Sequence, residues 1–214
     1  KALSGEDGNG KNVAIGHQAL EAQNAGTDAY NVAVGQNAGK VITTGPSNVL
    51  IGGLSGAALT TGAENIAIGY AALSTEDTRG RNIAIGTLAL SSQNSGADAY
   101  NIAIGHTAGT TMSSGVRNVI IGGLAGDALT TGSYNVAVGY EALSTEDADG
   151  RNVAIGYQAL TTQDAGADAY NTAVGFWAGE KVTTGVGNTL IGGQAGNALT
   201  TGGFNTVVGK SALS

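Results

Sequence analysis

Asn82-Ile83-Ala84-Ile85-Gly86 recurs, with conservative changes, twelve times along the chain. The repeat Asn falls at positions 12, 31, 48, 65, 82, 101, 118, 135, 152, 171, 188 and 205. Every fourth interval is slightly longer than the three that follow it, and this series of four then starts again. One full series defines each of the super-repeats 1–70, 71–140 and 141–210. Ser211-Ala212-Leu213-Ser214 matches Lys1-Ala2-Leu3-Ser4, as the opening of a fourth copy would. A fixed period this short means one coil per repeat, each coil burying its apolar side by stacking on the next. The expectation is a single all-β repeat domain over residues 1–214, a parallel β-solenoid of twelve 17–19-residue coils taken from a longer array.

Each motif position carries a physical reason. Asn12, Asn31, Asn82 and Asn152, with the eight other copies, would stack once per coil as a side-chain amide ladder or open each strand with an Asx turn. Three residues on, the side chain is Ile or Val in every copy, which is strand chemistry and is expected in the core. Gly follows in all twelve, Gly16, Gly35, Gly86 and Gly156 among them, where the chain must turn or pass close to another backbone. Three residues later comes Ala in eleven copies and Ser55 in one, and then Leu or Gly according to phase. At about 4.8 Å per coil, twelve coils make a rod roughly 55–60 Å long.

In Asn152-Val153-Ala154-Ile155-Gly156 the two β-branched side chains share one strand face and Ala154 takes the other. Both faces are apolar, the second carrying Leu50, Ile120, Leu190 or Val207 in some coils. A strand apolar on both faces is covered on both. One face would fill the coil interior and the other would run the length of the rod, covered by self-association or by a return strand of the coil itself. Thr172, Thr189 and Thr206 bring some polarity to this row in the last copy.

Composition narrows the function classes. Gly is 37 of 214 residues with one proline, Pro46, which excludes collagen, and charged residues are only 12%. With no cysteine, neither a disulfide framework nor a thiolate metal site is available. A net charge of −7 with nine scattered basic residues speaks against nucleic acid and anionic membranes, and no apolar run is long enough to insert in a bilayer as a helix. His17 and His106 stand at a position that elsewhere holds Tyr, Gln, Thr, Gly, Phe or Lys, so they read as surface variation. Gly52-Gly53-Leu54-Ser55-Gly56 looks like a phosphate loop but keeps the repeat phase, with no helix expected after it. The acidic stretches at 6–11, 76–81 and 146–151 read as solvated turns with local Lys and Arg pairing. As calcium loops they lack a closing bidentate Glu, and Arg79 takes a ligand position. No metal, cofactor or enzyme activity is expected.

The segments NVAIGHQAL (12–20), NVAVGQNAG (31–39), NIAIGYAAL (65–73) and NTAVGFWAG (171–179) resemble the head repeats of trimeric autotransporter adhesins of the YadA-like type. They resemble equally the Asn-Thr-Ala-Val-Gly repeats of bacteriophage tail fibres and bacterial surface proteins. The resemblance covers nearly the whole chain, although the adhesin heads use shorter coils. It implies a left-handed parallel β-roll, a homotrimer, and an extracellular, cell-surface or virion-borne fibre that attaches to a host-surface glycan or protein. Two rival classes stay open. One is a self-assembling filament subunit without receptor specificity. The other is an ice-binding solenoid built on Thr43-Thr44, Thr60-Thr61, Thr130-Thr131, Thr183-Thr184 and Thr200-Thr201, a row interrupted in the other coils.

Receptor contacts are sought in the loops that change with phase. Tyr30, Tyr100 and Tyr170 precede the repeat Asn after each of the longer coils and follow Asp28, Asp98 and Asp168. They are candidates for aromatic–acid sites that stack on sugar rings, or for covers over the longer loop. Phe176-Trp177 is the largest aromatic pair and the best single anchor candidate.

Overall fold

In the computed structural model, which describes residues 1–5, 10–78, 80–146, 148 and 150–214, the chain is a parallel β-solenoid. Its strands are β1 (Val13–Ile15), β2 (Val32–Val34), β3 (Val49–Ile51), β4 (Ile66–Ile68), β5 (Ile83–Ile85), β6 (Ile102–Ile104), β7 (Val119–Ile121), β8 (Val136–Val138), β9 (Val153–Ile155), β10 (Thr172–Val174), β11 (Thr189–Ile191) and β12 (Thr206–Val208). They form one sheet in chain order, and each motif position pairs with the same position in the next coil, as in Ala84 with Ala103. Among the described residues there is no helix, and no return strand closes a second sheet.

The rest of each coil is turn, yet its backbone stays bonded to its neighbours. Asn37 N–H donates to the His17 carbonyl at 2.9 Å, and Leu20 N–H donates to the Ala38 carbonyl at 3.1 Å, so the ladder continues round the corner in alternating directions. The chain descends this corner with non-Gly residues in the left-handed region, such as Leu88 (φ 60°) and Leu90 (φ 48°). Such residues are uncommon singly, and here the stacked coils hold them in place. The Gly that ends each strand is required twice over. Gly105 has φ 144°, and a Cβ there would lie 2.3 Å from the Gly122 carbonyl oxygen of the next coil.

The interior is narrow enough that a three-residue strand sends one side chain inward, the middle one. Ala33, Leu50, Ala84, Ile120 and Leu190 are fully buried. The β-branched residues on either side face out, from the half-buried Ile85 to Ile15 at 60% exposure. The expected β-branched core is therefore corrected: that row is the outer face of the sheet. The reason is the Asn. It stands immediately before each strand and is buried ahead of β2 through β11, and the side chain two residues along extended chain must share its face.

The Asn column is continuous. At all eleven steps the backbone N–H of one Asn donates to the side-chain oxygen of the Asn one coil earlier, at 2.8–3.1 Å. The side-chain NH2 group finds a second acceptor in many coils. Asn118 Nδ2 donates to the Gly132 carbonyl at 2.9 Å, and Asn171 Nδ2 to Gln163 Oε1 at 2.7 Å. The ladder runs from backbone N–H to side chain, and the amides of Asn48, Asn65, Asn118 and Asn205 also donate to the Asn oxygen one coil earlier at 3.0–3.2 Å, which is the expected amide ladder at those steps.

The super-repeat is a core-packing period. Where Leu stands eight residues after the Asn (Leu20, Leu73, Leu90, Leu143, Leu160), the residue three further on is Gln or Glu (Gln23, Glu76, Gln93, Glu146, Gln163), also buried. Where Gly replaces that Leu, the later position becomes Ile42, Leu59, Met112, Leu129, Val182 or Leu199. The two positions compete for one slot. A Cβ on Gly39 would lie 2.9 Å from Ile42 Cδ1, 2.7 Å from Leu50 Cδ1 and 3.0 Å from Leu20 Cδ2. Large residues from the coil and both its neighbours fill the space that Gly leaves, at the density a core requires.

Candidate functional site

Three surfaces run along the rod. The first is the outer face of the sheet, two β-branched side chains wide on every strand. Ile51, Ile155 and Ile191 on this face are about two-fifths exposed. Apart from Thr172, Thr189 and Thr206 these two rows are Val and Ile, with no charge in any of the twelve coils.

The second surface is the row one residue before the Asn, which alternates cation and tyrosine through the middle of the rod. It holds Arg81, Tyr100, Arg117, Tyr134, Arg151 and Tyr170 on successive coils, each with φ between 52° and 65°. Arg81 lies 5.6 Å from the Tyr100 ring centre and Arg117 5.5 Å from that of Tyr134. Arg151 lies between Tyr134 and Tyr170 at 5.6 and 5.5 Å. The three candidate tyrosines are therefore built alike. Lys11 sits 5.4 Å from the Tyr30 ring and pairs with Asp28 at 2.8 Å, while Arg81 pairs with Asp98 and Arg151 with Asp168. Hydrogen bonding from Lys11 holds the Asp28 carboxyl below its usual range, and the bond to Asp28 raises the Lys11 ammonium. Tyr30, Tyr100 and Tyr170 stay about half-exposed, but each shares a face with a cation, and each neighbouring Asp already has its partner.

The third surface lies five residues after the Asn, just past the turn glycine. Here Tyr140, Tyr157 and Phe176 stack on consecutive coils, with centroids 5.7 and 5.2 Å apart and planes 14° from parallel. Trp177 lies against Phe176 at 4.4 Å, and its indole N–H donates to Gln158 Oε1 at 2.7 Å. Phe176 is 51% exposed and Trp177 is half-buried, so the pair read from sequence is one exposed ring beside one pinned ring. Tyr140 and Tyr157 had no role in the sequence reading. Their signal lay in the repeat columns, where three consecutive coils carry an aromatic at one position.

The other candidates are placed as follows. Lys11, Arg81 and Arg151 pair across coils with Asp28, Asp98 and Asp168. Glu76 and Glu146 of those stretches are fully buried, which corrects the solvated-turn reading for them, and Asn152 Nδ2 donates to Glu146 Oε2 at 3.3 Å. Residues 6–9, Arg79, Asp147 and Asp149, which carried the calcium comparison, lie outside the described residues. His17 and His106 are exposed, and Gly52–Gly56 forms the turn that follows β3. The threonine hydroxyls face the next coil: Thr43 donates to the Thr60 carbonyl at 3.3 Å, Thr60 to that of Asp77 at 2.9 Å and Thr183 to that of Thr200 at 3.3 Å.

These features define a class, the parallel β-solenoid repeat proteins, with a side-chain ladder inside and phase-specific rows outside. Comparison with protein-family models, curated proteins and solved structures gave no match.

Proposed function

We propose that the chain is a structural and adhesive segment of an extracellular fibre, of the bacterial surface adhesin or phage tail-fibre kind, and that it works as a homotrimer without catalysing a reaction. The observation that carries this reading is the uncharged outer sheet face. It is two side chains wide and about 55 Å long, a larger continuous apolar strip than a soluble monomer usually leaves in water. Three copies packing these faces about a common axis would cover it and leave the loop rows outward. The rod then holds its loop rows at fixed positions, and three chains multiply avidity without any new contact. No cofactor enters this mechanism.

The test is the mass of the chain in solution. Mass photometry or sedimentation equilibrium at micromolar concentration should give three times the 20.9 kDa of one chain. A monomer would remove the trimer. An open-ended ladder of masses would favour the filament subunit.

A further inference from the structure

The aromatic ladder has a missing rung. In the third coil of every super-repeat, the position five residues after the Asn is Gly53, Gly123 or Gly193. In the first two copies the next coil supplies a tyrosine that leans over the glycine: a Cβ on Gly53 would touch Tyr70 Cδ2 at 3.6 Å, and one on Gly123 would touch Tyr140 Cδ2 at 3.5 Å. In the third copy the next coil supplies Lys210 instead. Around a Cβ placed on Gly193, the nearest atom beyond its chain neighbours is the Phe176 carbonyl oxygen at 3.8 Å, and no other residue's atom comes within 4 Å. The ladder of Tyr140, Tyr157 and Phe176 therefore ends at Phe176, below an open step.

We propose that this step binds a pyranose ring carrying a carboxylate, which stacks on Phe176 as the missing rung. Phe176 and Lys210 stand two coils apart, about 10 Å. A ring stacked at the 5.2 Å spacing of the rung below would occupy the middle of that interval. The groups around the step are hydrogen-bonding ones. Gln194 occupies the next position along the coil, Ser211 Oγ donates to Gln194 Oε1 at 3.2 Å, and Lys210 is exposed above. Hydroxyls and a carboxylate use all three, whereas an aromatic ring of a peptide would engage Lys210 through its face and leave the Gln194 and Ser211 groups unused. The site rests on the attachment reading and names its ligand class.

Trp177 is the sole tryptophan and touches Phe176, so its fluorescence reports the step in the intact chain. Titration with a galacturonate trisaccharide should give a saturable change, and the carboxyl-reduced trisaccharide should bind more weakly. Phe176→Ala should weaken the acidic probe about tenfold or more. Gly193→Tyr should do the same while keeping Phe176, because it fills the rung at a position whose backbone any residue adopts. Lys210→Gln should bring the acidic probe to the affinity of the neutral one. Undiminished binding in Gly193→Tyr, or no saturable response to either saccharide, overturns the site, and equal binding of the two saccharides overturns the carboxylate. A flat titration at trimer mass removes this site alone. A monomer removes the trimeric fibre, whatever the titration gives.

Discussion

At the scale of single residues, the repeat positions differ in what a substitution breaks. The Asn118 side chain accepts the Asn135 N–H at 2.8 Å and donates to the Gly132 carbonyl, wholly out of solvent. Asn118→Ala leaves a buried N–H unpaired, which costs about 1–3 kcal/mol for that group alone, and should lower the thermal midpoint clearly. Two glycines separate sterics from composition. Gly105→Ala drives a Cβ into a backbone carbonyl and should prevent normal stacking, whereas at Gly53 the new methyl meets a tyrosine edge at 3.6 Å and the Gln36 carbonyl oxygen at 3.9 Å, both ordinary contacts, and should leave the circular dichroism spectrum and melting unchanged. Asp127 stands where the other copies carry Ala57 and Asn197. Burial raises its carboxyl above the usual range, against hydrogen bonds from its own and the Ala128 N–H, with the Glu141 charge adding to the rise. The folded chain thus holds this proton more tightly than the unfolded chain, and stability falls as pH rises through the carboxylate range. Asp127→Asn should melt higher than the parent at pH 7, and the difference should vanish near pH 3. An equal difference at both pH values would contradict the desolvation account.

At the scale of the coil, the decisive relation is between neighbours. Leu50 and Ala84 hold the same motif position, both fully buried, yet they are not interchangeable. Leu50 fills space beside Gly39 and Gly56, whereas Ala84 shares its coil with Leu90. Leu50→Ala should cost about 2–5 kcal/mol through the cavity it leaves, and Ala84→Leu about 1–3 kcal/mol or more through overpacking. Each change installs a residue that another coil uses at that position. Denaturation of the two variants checks this, and neutrality of either would show that the coils pack independently of phase.

At the scale of the molecule, the sheet exterior and the cross-coil rows carry the predictions. Ile85→Glu and Ile104→Lys place charges on the outer face of adjacent strands without touching the interior. If the chain is the proposed trimer, each alone should reduce the solution mass to that of a monomer while the circular dichroism spectrum is kept. If the trimer persists in both, another face makes the contact. The cation–tyrosine row contributes little to stability, because its ion pairs are exposed. Arg117→Ala should move the melting temperature by no more than a degree or two, within about 0.5 kcal/mol.

The period, the parallel stacking, the Asn column and the turn glycine were all legible in the sequence, since each is a steric need repeated in every coil. Even the direction of the faces was implicit, because a buried Asn carries the residue two places on inward with it. It was missed because β-branched residues suit either side of a sheet. Other features depend on which residues meet across coils. Glu76 and Glu146 sit in acidic stretches that read as solvated, and only the stacked coils bring them into the interior, at the position that Leu59 and Leu129 hold elsewhere. Asp28, Asp98 and Asp168 find their cations one coil back, along the rod axis and not along the chain. The open step above Phe176 exists because Lys210, not tyrosine, stands on the coil after Gly193. Local sterics wrote the scaffold into every repeat, whereas the differences between repeats took on meaning only when the fold set them one above another.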